Sequence, residues 1–108
     1  MNEDAIRDQI AANLDLVEPG LTLIRTEYPL PNAHGTKGRI DVLARDRFGN
    51  FLVIEVKRTN QAARQAIHEL LKYASLLVAE EGCRLSQVRC CLASVEWKEL
   101  QVPLVASR

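Results

Sequence analysis

Aromatic residues are scarce in this chain, with one Trp, two Tyr and two Phe among 108 residues. Tyr73 and Trp97 read as core or half-buried aromatics rather than as platforms for stacked bases. Excess charge of either sign is absent as well: 14 Lys and Arg balance 14 Asp and Glu, for a formal net charge of zero. Proteins that hold nucleic acid by electrostatics alone are usually basic, so any such binding here has to come from a local patch. The three cysteines, Cys83, Cys90 and Cys91, are odd in number and two are adjacent, which excludes a disulfide framework. CxxC and Cys/His zinc spacings are missing, and Cys90 and Cys91 would face opposite sides of a strand. Buried structural thiols are expected. No apolar run approaches the ~20 residues of a membrane span, and MNEDAIRDQI lacks a signal peptide's basic start and apolar stretch. A soluble, cytoplasmic protein without a membrane partner is the expectation. There is no repeat, low-complexity tract or linker, and 108 residues suffice for a single domain, 1–108.

What is present alternates between helix and strand. Residues 3 to 16 carry Ala5/Ile6, Ile10, Leu14 and Val17 at helical spacing, with Asn2 as cap and Glu3 and Asp4 in the first turn. Glu18-Pro19-Gly20 stops this helix, LTLIRTEY alternates as a strand, and PLPNAHGTKG is a loop by its prolines and glycines. Two short strands follow. Thr59 or Asn60 caps a second helix, QAARQAIHELLKYASLLVAEEG, with a wide apolar face from Ala63 to Val78 and its end at Gly82. LSQVRCCLAS reads as a buried strand, and Pro103 makes LQVPLVA a weaker, edge-like one. His34 and His68 read as surface residues.

The informative segment is GRIDVLARDRFGNFLVIEVKR, whose strands carry charges that burial does not call for. Side chains alternate faces along a strand, so Phe51, Val53, Glu55 and Lys57 share one side and Leu52, Ile54 and Val56 the other. In the preceding strand Ile40, Val42 and Ala44 line one face, leaving Arg39, Asp41 and Leu43 on the opposite one. A hairpin through Asp46-Arg47-Phe48-Gly49-Asn50 brings Asp41 beside Glu55. Adjacent carboxylates repel unless a cation sits between them, and a hard divalent ion, Mg2+ or Mn2+, is the usual answer. Such an ion neutralises charge on a phosphodiester and lowers the pKa of a bound water, while Lys57 positions that water. Lys37, Arg39, Arg45, Arg47, Lys57, Arg58, Arg64 and Lys72 fall near this segment in sequence and form the expected basic rim.

The order αβββαβ, with an acid in the first helix, Asp41 in the second strand and E-x-K at Glu55 to Lys57 in the third, resembles the PD-(D/E)xK nuclease core. Within that superfamily, LVEPGLTLIRTEYPLP, GRIDVLARDRFGNFLVIEVKR and AIHELLKY look most like the C-terminal nuclease domain of NucS/EndoMS-type DNA endonucleases. The resemblance implies an α/β, restriction-endonuclease-like fold with a central mixed β-sheet flanked by helices. It implies metal binding by Asp41, Glu55, the Val56 main-chain carbonyl and Glu3, with Asp4 and Asp8 competing for the last role. It makes Lys57 the catalytic lysine and Tyr73 the family's helix tyrosine. The family's Gln one turn before that tyrosine is Glu69 here, with Gln65 a turn earlier as the other amide. Family members also carry an N-terminal DNA-binding and dimerisation domain, whereas this chain begins at the nuclease domain.

The function expected is a Mg2+- or Mn2+-dependent endonuclease acting on DNA, with branched, mismatched or single-stranded sites as candidate substrates. A Holliday-junction resolvase shares the catalytic set, and a catalytically idle binding domain shares the fold. Because the chain is small and neutral, a homodimer or a separate DNA-binding partner is expected, with contacts from LQVPLVA or the second helix.

Overall fold

In the computed structural model, described here for residues 2–30 and 38–94 and the backbone of 104–107, helices cover both faces of a five-stranded sheet. Helix α1 (Glu3–Ala12) begins where Asn2 accepts a hydrogen bond from the Ala5 amide, and a 3-10 turn at Leu14–Leu16 completes the segment expected to be one helix. Strands β1 (Thr22–Pro29), β2 (Arg39–Arg45) and β3 (Phe51–Lys57) run antiparallel in order. β4 (Val88–Ser94) lies parallel to β3, and β5 (Leu104–Ser107) closes the far edge antiparallel to β4.

A parallel neighbour requires a crossover, which the helical segment supplies. It is not one helix but two, α2 (Asn60–Gln65) and α3 (Ile67–Glu81), broken at Ala66. Thr59 caps α2 by accepting from the Ala62 amide, and Gly82 ends α3 at φ 68°, a left-handed conformation that glycine adopts without a Cβ penalty.

Leu43, Phe51, Val53 and Leu92 pack beneath Ala63, Ala66, Leu70 and Leu77, while Val42, Ala44, Leu52, Ile54 and Cys91 pack against Leu14 and Leu21, with Ile10 and Val17 at the margin. Cys90 and Cys91 do fall on opposite faces, and all three thiols are free, with Cys91 buried and the other two half-buried. One residue departs from the expected alternation. Ile40 leaves the side of Val42 and Ala44 and joins the cluster of Leu30 and Leu43.

The β2–β3 turn is fixed by Asp46, whose carboxylate accepts hydrogen bonds from the Phe48 and Asn50 amides, while Gly49 takes φ 87°. Arg89 ties this turn to the segment that follows the first helix, reaching Asp46 at 3.1 Å and Glu18 at 2.6 and 2.8 Å. Arg45 lies over the Phe51 ring and donates to the Gly49 carbonyl, and Arg47 lies over Phe48. Both belong to the hairpin end of β2, roughly 13 Å along the strand from Asp41 at ~3.3 Å per residue, and are not rim residues of a site at Asp41. Lys37, His34, Trp97 and most of the PLPNAHGTKG loop lie outside the described residues.

Candidate active site

Asp41 is skipped by both neighbouring ladders. The β2–β3 pairing runs from Arg45↔Phe51 to Val42↔Ile54 and stops, and the β1–β2 pairing passes from Thr26↔Val42 to Tyr28↔Ile40 without it. Carboxylates replace the missing rungs: the Asp41 amide donates to Glu55 Oε1 at 3.0 Å, and the Val56 amide donates to Asp41 Oδ2 at 2.8 Å. A regular ladder would hold the strands too close for two side chains in its plane, so the chain diverges here. Ile40 changes sides just beyond this point.

Glu55 is buried at 3% exposure. Burial, then the charge of Asp41, push its carboxyl up to about 9, against which its hydrogen bond from the Asp41 amide counts for less. An acid in this setting is poised for a cation. Lys57, two residues on, forms an ion pair with Glu69 of α3 at 3.2 Å. Burial pulls its ammonium down, but the hydrogen bond and charge of Glu69, followed by Glu55 and Asp41, outweigh burial and hold it above the usual lysine range. Tyr73, one turn along α3 from Glu69, is half-buried; burial first, then the charges of Glu69, Glu55 and Asp41, raise its phenol to about 12, and it accepts a hydrogen bond from the Arg39 amide.

The structure thus gathers Asp41, Glu55, Lys57, Glu69 and Tyr73 at one end of the sheet, with the Val56 peptide between them. Glu3 stands apart in the first turn of α1: among the described residues no three His, Cys, Asp or Glu side chains form a group able to hold a metal ion. Gln65 is exposed at the end of α2. For a divalent ion, the fit is that of two hard carboxylates, one buried and under electrostatic strain, beside a main-chain carbonyl. An ion that keeps several waters needs little more.

Glu27 was not evident from the sequence. It lies opposite Asp41 in the β1 register, takes φ 50°, and places its carboxylate between Arg7 at 3.3 Å and Arg39 at 3.0 Å. The one available signal is an acid interrupting the alternation of LTLIRTEY.

Comparison with known proteins gives the chain's relatives. Endonuclease NucS of Mycolicibacterium smegmatis is 34% identical over 68 residues, 63% of this chain and 27% of that protein. Endonuclease NucS of Methanocaldococcus jannaschii is 32% identical over 81 residues, 75% of this chain and 28% of that protein. Among solved structures, a repair endonuclease from Pyrococcus abyssi superposes with TM-score 0.64 at 28% identity, covering 87% of this chain and 38% of the other. An EndoMS-dsDNA complex gives 0.61 at 30% identity, covering 89% and 38%. The chain therefore spans well under half the length of the relatives it matches. The profile of the endonuclease NucS C-terminal domain matches residues 2–106, and the chain belongs to that family.

Proposed function

We propose that this domain is the catalytic part of a metal-dependent DNA endonuclease that cuts at irregular structures such as branched, mismatched or single-stranded sites. The observation that carries the proposal is the Asp41–Glu55 pair, set where the sheet opens and beside a charged lysine. Mg2+ or Mn2+ would be held by Asp41, Glu55 and the Val56 carbonyl, neutralising the phosphate and acidifying the attacking water. The remaining work belongs to the chain. Lys57 orients the water and stabilises the charge that develops on it, Glu69 restrains Lys57, and Tyr73 closes the site from α3. The relatives named NucS and EndoMS, one of them in complex with dsDNA, support DNA as the substrate class.

The same reading makes the protein soluble and cytoplasmic; among the described residues no helix is long and apolar enough to cross a membrane. It also calls for a homodimer or a DNA-binding partner, for which Ile67 and Leu71, 47% and 59% exposed one turn apart on α3, offer an apolar contact. The test is incubation of the purified chain with plasmid, single-stranded, mismatched and branched DNA in Mg2+, Mn2+ or EDTA. Metal-dependent internal cleavage is expected. Cleavage that persists in EDTA, or none on any substrate with or without a partner, would refute the proposal.

A further inference from the structure

Around the Asp41–Glu55 pair the charges are unfavourable to a polyanion. Asp41, Glu55 and Glu69 face the ammonium of Lys57, which is itself engaged by Glu69 at 3.2 Å. A single divalent ion offsets part of this, but the phosphates flanking the scissile one still need a cation at the rim. The first helix cannot supply it. Arg7, whose side chain is only 13% exposed, is surrounded by Asp4, Asp8 and Glu27 at 3.2, 3.0 and 3.3 Å.

Arg39 shares Glu27 with Arg7 but is far more exposed. It lies two residues before Asp41 on the same strand, its amide donates to Tyr73, and its side chain is 57% exposed. Its ion pair with Glu27 runs through Nη1 at 3.0 Å, one of the several donors of the guanidinium fork. Glu27 can make this contact because its backbone is left-handed, φ 50°, which turns the carboxylate out of the strand's alternation toward the two arginines. A non-glycine residue in that region costs on the order of 1–3 kcal/mol and persists where the surroundings demand it, most often at functional sites.

Resting on the nuclease reading above, we infer that Arg39, aimed by Glu27, binds a DNA phosphate adjacent to the scissile one. The ligand is the sugar–phosphate backbone rather than a base, since a guanidinium fork suits two phosphate oxygens.

The test is fluorescence anisotropy with labelled single-stranded, duplex and branched oligonucleotides in EDTA, where no cleavage intervenes, across a range of salt. Arg39→Ala is expected to raise Kd about tenfold and to reduce the slope of log Kd against log salt by about one unit. Arg39→Gln, closer in size, should do the same and serves if the alanine variant fails to fold. Arg39→Lys should keep the slope and lose about threefold in affinity, and Arg84→Ala, on the exposed turn before β4, should match wild type. If wild type binds and the Ala and Gln variants match it in Kd and slope, the assignment of Arg39 is overturned. If wild type binds none of the oligonucleotides, the assignment of Arg39 also falls, while the nuclease reading stands or falls separately on metal-dependent cleavage.

Discussion

The β2–β3 hairpin carries a carboxylate cluster at each end, and the two have opposite electrostatics. At the turn, burial would raise Asp46, but the Asn50 and Phe48 amides, followed by Arg89, outweigh it and bring the carboxyl below its ordinary range. Glu18 is lowered chiefly by its hydrogen bond to Arg89. At the open end Glu55 is buried against another acid and pushed up to about 9. The same residue types on the same two strands make a staple where an arginine and two amides serve one carboxylate, and, on the proposed reading, a reactive site where one carboxylate is buried against another. On that reading, the turn end chiefly serves stability and the open end chiefly serves chemistry.

The largest effects should come from the open end. Asp41→Ala or Glu55→Ala is expected to reduce metal-dependent cleavage at least ~1000-fold in an oligonucleotide assay, with circular dichroism unchanged. Lys57→Ala should lower turnover about 100-fold while calorimetry still detects Mn2+ binding. If metal affinity disappears with Lys57, the lysine holds the site together rather than serving the chemistry.

The turn should respond in stability instead. Arg89→Met leaves the Asp46 side chain, 0% exposed, without its cation and should cost about 2 kcal/mol, roughly 10 °C in Tm, with catalytic turnover unchanged. The pH dependence gives the sign. Glu18 and Asp46 are lowered from 4.5 and 3.8, so their stabilisation is complete above about pH 4.5 and lost as pH falls through the depressed values. In Arg89→Met this acid limb should flatten. Glu55 runs the other way: raised from 4.5 to about 9, it favours folding fully below 4.5 and progressively less as pH rises toward 9. Glu55→Gln should therefore raise the metal-free Tm at pH 8 by about 4–8 °C, the equivalent of about 1 kcal/mol, and match wild type at pH 4. The smallest effect is expected from Glu69→Gln, which frees Lys57 and should change turnover about threefold, upward, in Mn2+ at fixed salt.

Much of the open end was legible because a period of two is hard to disguise: Asp41, Glu55 and Lys57 stand out against Val53, Ile54 and Val56, all buried. The caps at Asn2, Thr59 and Gly82 were legible for the same reason, since each residue type has a local geometric role. What escaped depends on distant chain. Ile40 changes sides just past the end of the β2–β3 pairing, and the break at Ala66 occurs at a strong helix former. Arg45 and Arg47, close to Asp41 in sequence, are carried to the other end of the strand. That Glu69 meets Lys57 depends on how α3 crosses the sheet. Glu27 gives no compositional hint of a left-handed backbone.

Strand β1 bears on how copies of this chain can meet. It is an outer strand with Leu23 and Ile24 partly exposed, the kind of border along which sheets of separate molecules fuse. Yet within eight residues it has a register shift between Leu23 and Arg25, a left-handed residue at Glu27, and Pro29, which has no amide to donate. These breaks shorten the straight run offered to an incoming strand, a feature that opposes edge-to-edge pairing along this border. A self-association of this chain would then run through side-chain faces rather than this border, and the irregularity that places Glu27 against Arg39 is the same one that breaks up the edge.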